Sequence, residues 1–160
     1  MKNIALVLPL LVALLGGCKT MKPDARHPEK NGQLIISLER TPCFGRCPVY
    51  NIKVYENGLV LYNAEKNTDT VGCFYAVITK QELQGLKSKF IANGFMDMAD
   101  KYPEEGKAPV DLPSCVLTFN NNGVTKTVRD KRWETPMPLA ELQTTIEQIV
   151  KNKILHNCDN

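Results

Sequence analysis

Val49-Tyr50-Asn51-Ile52-Lys53-Val54-Tyr55-Glu56-Asn57-Gly58-Leu59-Val60-Leu61-Tyr62 is the stretch that decides the fold class. Tyr50, Ile52 and Val54 alternate with Asn51 and Lys53, the period of a half-buried strand. Asn57-Gly58 then matches the dipeptide of a type I′ turn, which needs positive φ at both central residues, and Leu59–Tyr62 supplies the returning strand. An antiparallel hairpin over 49–62 follows. On its N-terminal side Leu34, Ile36 and Leu38 alternate with Ile35, Ser37 and Glu39; on its C-terminal side Val71–Ile78 is rich in β-formers. Thr79-Lys80-Gln81-Glu82 has capping-box spacing, and the stripe Leu83, Leu86, Phe90 and Ile91 runs to a stop at Asn93-Gly94, so a helix is expected between them. Ser114–Asn120 and Gly123–Arg129 alternate around Asn121-Asn122-Gly123 as a second hairpin. Thr135-Pro136 reads as an N-cap followed by Pro at the first helical position, opening a helix with the stripe Leu139, Leu142, Ile146, Ile149 and Val150. Strands with helices segregated between and after them predict an α+β fold: an antiparallel sheet of about five to six strands with two helices packed on it.

Residues 1–17 carry Lys2 and an apolar run of 12 residues, Ile4–Leu15, short of the ~20 residues that a bilayer core requires. They read as a signal peptide. Leu15-Gly16-Gly17-Cys18 resembles the lipobox of bacterial lipoproteins. That resemblance implies cleavage before Cys18, acylation of Cys18 with palmitate-type chains, and a lipid-anchored place in the cell envelope; Lys19 after the cysteine points to the outer membrane. Lys19–Gly32 is polar, contains Pro23 and Pro28 and has no period, so residues 18–32 are expected to be the lipidated cysteine and a flexible tether, with His27 solvated and a single domain over 33–160. Losing residues 1–17 removes one positive charge, Lys2, and lowers the formal net charge from +3 to +2. So even a balance leaves no nucleic-acid footprint.

Five cysteines remain beside Cys18: Cys43, Cys47, Cys73, Cys115 and Cys158. Outside the cytoplasm such residues pair as disulfides, and an odd number leaves at least one free or paired between chains. The spacing leaves the pairing of Cys73, Cys115 and Cys158 open. Cys43 and Cys47 lie in a loop with Pro42, Gly45 and Pro48, whose fixed and permissive φ values let it double back, so they are the disulfide candidate. Glu39-Arg40-Thr41-Pro42-Cys43-Phe44-Gly45-Arg46-Cys47-Pro48-Val49-Tyr50, with Asp100-Lys101-Tyr102 and Asp111-Leu112-Pro113, resembles an uncharacterised domain family of small bacterial lipoproteins with a Cys-Phe-Gly-x-Cys-Pro-Val-Tyr signature, over about residues 33–150. The likeness implies fold and location and brings no activity and no catalytic residue.

Three chemistries suit Cys43 and Cys47. A structural disulfide over so short a loop contributes about 2 kcal/mol. Thiol–disulfide exchange needs a stabilised thiolate, ordinarily at a helix N-terminus, whereas a strand-like run follows Cys47; Arg40 and Arg46 could partly substitute. Cys-x-x-x-Cys-Pro is similar to the copper site of Sco-type chaperones, where a distal His completes a Cu(I) site, but His27 and His156 fall in the tether and the tail. The carboxylates of Asp97, Asp100, Glu104, Glu105 and Asp111 match no calcium-loop spacing and read as a solvated loop. Lys126, Arg129, Lys131, Arg132 and Trp133 read as a charged strand end. No nucleophile–base pair can be nominated. The expectation is therefore a membrane-anchored binding or structural module and not an enzyme, without metal or cofactor. The alternative is a redox or Cu(I)-handling protein. Phe44, Arg46, Tyr102 and Asp111 are the candidate ligand contacts, and the expected partners are membrane lipid through Cys18 and an envelope protein or glycan.

Overall fold

The structure is a computed structural model that describes residues 22–106 and 108–159. The expected signal peptide, residues 1–17, and the expected lipidation site, Cys18, lie outside the described residues. One sheet contains β1 (Leu34–Arg40), β2 (Val49–Tyr55), β3 (Leu59–Lys66), β4 (Gly72–Val77), β5 (Lys101–Tyr102), β6 (Cys115–Asn121), β7 (Val124–Asp130) and β8 (His156–Asn157), in the spatial order β5-β7-β6-β1-β2-β3-β4-β8. Every pairing is antiparallel except β5 with β7. Helices α1 (Lys80–Ala92) and α2 (Met137–Asn152) complete an α+β fold. Among the described residues no helix is long and apolar enough to cross a membrane.

Among the described residues the sheet has eight strands in place of the expected five to six. The additions, β5 and β8, are two residues each, Lys-Tyr and His-Asn. Neither sequence alternates, so only the neighbouring strand edges make them strands: Arg129 N donates to Asp100 O at 2.9 Å, and Cys158 N donates to Cys73 O at 3.1 Å.

One face of the sheet carries the main core. Ile36 and Leu38, Ile52 and Val54, Leu117 and Phe119, and Val128 meet Leu83, Leu86 and Phe90 of α1 and Leu139, Leu142 and Ile146 of α2. Phe90, Phe95 and Phe119 sit with ring centroids 4.7 to 6.3 Å apart, the range in which aromatic pairs add to simple burial. Ile91, expected on the buried stripe of α1, points to solvent. Thr79 caps α1 through a complete capping box with Glu82. The N-cap of α2 is Pro136, one residue later than expected, because the Thr135 hydroxyl donates instead to Asp130 Oδ2 at 2.9 Å.

The two hairpin turns differ from one another. Between β2 and β3 only Gly58 has positive φ, +87°, and Gly58 N donates to Tyr55 O at 3.0 Å, so this is a three-residue loop in place of the expected type I′ turn. A Cβ at Gly58 would lie 2.3 Å from Ile78 O, a second reason for glycine there. Between β6 and β7, Asn122 and Gly123 have φ of 51° and 92°, the two positive values that a two-residue type I′ turn demands.

The opposite face holds a smaller apolar cluster of Tyr55, Leu59, Leu61 and Cys158, with Ala25, Cys73 and Tyr75 against it. Described residues before β1 and after α2 cover it. The C-terminal tail pairs with the edge strand β4, places His156 on the Tyr75 ring at 5.3 Å, and is joined to β4 by the Cys73–Cys158 disulfide. A covered edge is protected from pairing with another chain. On the N-terminal side, the described part of the stretch expected as tether folds as a turn around Asn31, which is wholly buried. Its polar composition hid this because its bonds run from one side chain to backbone, a pattern without period.

Candidate functional site

The register pairs Arg40↔Tyr50, Arg40↔Cys115, Val49↔Lys66 and Cys115↔Asp130 put four connections at one end of the sheet: residues 41–48, 67–71, 103–114 and 131–136. Loops on a rigid sheet are the usual carriers of recognition. The first of them is closed by a disulfide between Cys43 and Cys47, with Cα atoms 5.8 Å apart. It is anchored on both flanks. Thr41 N donates to Ser114 O at 3.0 Å and Ser114 N to Thr41 Oγ1 at 2.8 Å, while Asn67 Nδ2 donates to Cys47 O at 3.0 Å. Within it Gly45 N donates to Cys43 Sγ at 3.2 Å. Phe44, 87 % exposed, and Arg46 project from this braced loop into solvent. Cys47 leads through Pro48 into the strand β2 and not into a helix, so the chain that follows supplies no helix N-terminus to it.

Beneath the loop lies a polar hub that sequence reasoning missed. Arg40 and Tyr50 are cross-strand partners on the helix-covered face, and both reach Glu147 of α2. Arg40 Nε and Tyr50 Oη donate to Glu147 Oε1 at 2.8 and 2.6 Å, and Arg40 Nη2 reaches the same oxygen. Arg40 Nη1 donates to Gln143 Oε1 at 3.3 Å, and Gln143 Nε2 donates to Asp130 Oδ2 at 2.8 Å. Asp130 also accepts from Arg132 N and Thr135 Oγ1. Every partner in this chain is thus hydrogen-bonded, which is what makes a buried charge tolerable. Burial works against the Arg40 cation, but the Glu147 carboxylate, through its charge and its hydrogen bonds, outweighs it and holds the Arg40 pKa above the ordinary value. Burial, then the hydrogen bond to Glu147, raises Tyr50, which keeps its proton. Burial likewise pushes the Cys115 thiol up to about 12, leaving it neutral, and Cys115 is the free cysteine of the described residues. The signal available in sequence was alternation: Arg40 continues the inward set Ile36 and Leu38, and Asp130 continues Val128. Alternation assigns a face but names no partner.

Beside the hub a cleft of about 470 Å³ opens between β2, β3 and α2. That volume suits a small ligand. Tyr50, Ile52 and Tyr62 line it, with Asn67, Thr68, Asp69 and Thr70 from the β3–β4 connection and Glu147, Val150, Lys151 and Leu155 from α2 and the tail. Tyr50 and Tyr62 meet edge to face at 5.6 Å. Burial first, then Asp69 and Glu147, raises the Tyr62 pKa. Among the described residues the hydrogen bonds to Glu147 all fall on Oε1, so Oε2 is the acceptor that this wall has to offer. Pro48 lines the same cleft, and Asn67 both lines it and holds Cys47, so the stapled loop and the cleft form one continuous site.

The four candidate ligand contacts divide. Phe44 and Arg46 stand on the stapled loop next to the cleft. Tyr102 is half-buried against the main core, its hydroxyl accepts from Ala99 N at 3.3 Å, and it lines a separate depression with Pro103, Glu104, Glu105, Glu134 and Pro136. Asp111 is exposed in the same long connection, which touches the cysteine loop through Thr41 and Ser114. Neither Tyr102 nor Asp111 lines the cleft. Among the described residues no group of three or more His, Cys, Asp and Glu side chains is placed to hold a metal ion. Lys126 of the basic strand end pairs with Asp100.

Residues 34–150 match the model of a family described as a domain of unknown function, DUF6438. No curated protein matches the sequence.

Proposed function

Taking as premise that the chain belongs to the DUF6438 family, we propose that it is a binding module of the cell envelope, held on a membrane by acylated Cys18, whose ligand enters the cleft beside the Cys43–Cys47 loop. The observation that carries this reading is the cleft itself: aromatic rings on one side, the free oxygen of Glu147 on another, and a rim braced by a disulfide and by Asn67. Preorganised walls spare a ligand the cost of ordering them. The matching ligand is small and partly apolar, with a planar or aliphatic body for Tyr50 and Tyr62 and a hydroxyl or ammonium donor for Glu147. Two disulfides support an oxidising location, as export past a signal peptide requires. Phe44 and Arg46 are then the contacts open to a larger envelope protein or glycan.

The test is a ligand-observed screen of small aromatic and aliphatic amines and alcohols against the acylated protein, repeated on Thr70→Trp, which brings an indole into the cleft mouth from an exposed rim position. Hits should lose at least about tenfold in affinity, or ~1.4 kcal/mol, in the variant. Hits indifferent to that change would place binding elsewhere and defeat the reading. A second reading, thiol–disulfide exchange or Cu(I) handling, draws on the exposure of the loop between Cys43 and Cys47. Ready reduction of that bond by mild thiol, or stoichiometric Cu(I) uptake, would favour it.

A further inference from the structure

We propose that residues 24–31 are a clasp that seats the domain on the bilayer with its turn-bearing end toward the lipid and the Cys43–Cys47 loop facing away. This rests on the reading of Cys18 as acylated. The clasp is built around Asn31, whose side chain accepts from Asp24 N and Asn57 Nδ2, both at 2.7 Å, and donates to Asp24 O, His27 O and Pro28 O at 2.6, 3.1 and 3.2 Å. Asp24 Oδ1 in turn accepts from Arg26 N and His27 N. Ala25 packs on the apolar cluster of the outer face. Asn57 is the tip of the β2–β3 turn, and Glu56 N donates to Gln33 O at 2.9 Å beside it. The chain therefore leaves the body at Asp24, at the end opposite the cysteine loop.

Chain length then restricts orientation. Cys18 is six residues from Asp24, and at no more than about 3.6 Å per residue those six residues reach about 20 Å. The seven-residue strands β2 and β7 are themselves about 23 Å long at ~3.3 Å per residue. An anchor fixed at the turn end therefore falls short of bringing the loop end down to the same membrane even when fully extended. The turn end also offers a hollow of about 440 Å³ lined by Asn31, Glu56, Asn57, Gly58, Lys80, Gln84 and Lys87, where the Lys80 and Lys87 ammonium groups suit headgroup phosphates. In this arrangement the ligand cleft and Phe44 point into the aqueous compartment.

The chain has a single tryptophan, Trp133, in the connection after β7 at the loop end. Val124, 63 % exposed, opens β7 at the turn end. Full-length acylated protein is reconstituted in phosphatidylethanolamine–phosphatidylglycerol vesicles that carry a nitroxide-headgroup lipid, and indole quenching is read for the native chain and for Trp133→Phe/Val124→Trp. The expected result is several-fold stronger quenching of the indole at position 124 than of Trp133. Adding Asn31→Ala to each chain, or inserting ten Gly-Ser residues between Lys22 and Pro23, which leaves the folded body untouched, should bring the two signals together. Protein that does not float with the vesicles overturns the acylation reading and this inference with it. Floating protein whose Trp133 is quenched as strongly as position 124 overturns the orientation alone.

Discussion

Replacing Glu147 by Ala removes the carboxylate that Arg40 and Tyr50 share, and the Arg40 side chain, only 7 % exposed, cannot turn to water. Breaking a buried ion pair from one side costs ~3–5 kcal/mol, since the surviving charge is left uncompensated. The low end applies here, because Gln143 Oε1 still accepts from Arg40 Nη1. About 3 kcal/mol is therefore expected for Glu147→Ala. Arg40→Met should cost less, about 1–2 kcal/mol, since the Glu147 side chain is 22 % exposed, can hydrate, and keeps the Tyr50 hydroxyl. In Arg40→Met/Glu147→Leu neither charge remains but the Tyr50 hydroxyl loses its acceptor, so a cost of about 1–2 kcal/mol is expected, still below that of Glu147→Ala. Urea unfolding with both disulfides intact reads the order directly: with slopes of roughly 1–3 kcal/mol per M, a 3 kcal/mol loss moves the midpoint by ~1–3 M. A Glu147→Ala midpoint no lower than that of Arg40→Met, or a double variant no better than Glu147→Ala, would refute the view of Arg40 as a buried cation dependent on α2.

The two disulfides close loops of very different size, with sequence separations of 4 and 85. In the chain-entropy model Cys73→Ala/Cys158→Ala should cost about 4.5 kcal/mol and Cys43→Ala/Cys47→Ala about 2 kcal/mol; unfolding midpoints in the reverse order would contradict the assignment. Cys115 has a folded pKa raised from 9 to about 12, so the stability it contributes is present below pH 9 and is lost as pH climbs from 9 toward 12. Over that window the native chain should lose more stability than Cys115→Ala, and parallel curves would rule the effect out. Glu82 is lowered from 4.5 to about 2, first by the hydrogen bond from Lys153 and then by Thr79, so its stabilising contribution is present above pH 4.5 and disappears as pH falls toward 2. Glu82→Gln should flatten the acid limb of the stability curve between those values, and an unchanged limb would remove Glu82 from the account.

How far the sequence could be read depends on where each signal sits along the chain. The hairpin over 49–62, the capping box at Thr79 and Glu82, and the second hairpin at Asn122-Gly123 are local, with their causes within a few residues. The hub is not local: Glu147 and Gln143 lie 107 and 103 positions from Arg40, and nothing in either segment names the other. Strands β5 and β8 exist because Arg129–Asp130 and Phe74–Tyr75 offer them edges, and His156 or Lys101 alone predicts neither. Asn31 lay in a stretch whose composition reads as tether, yet one amide side chain gathers four backbone groups and Asn57. The cysteine loop was visible from its residues, but its neighbour across the cleft was not. The β3–β4 connection, through Asn67, supplies that wall, and the Tyr102–Pro113 stretch does not.

The proposed binding module has its cysteine loop and its C-terminal tail each held by one covalent bridge. Peptide mapping by mass spectrometry of protein isolated from its membrane without reductant tests this most directly. The prediction is linked peptides for Cys43 with Cys47 and for Cys73 with Cys158, and a Cys115 that is alkylated only after denaturation. Cys43 or Cys47 recovered as free thiols, or Cys115 found in a bridge, would contradict it.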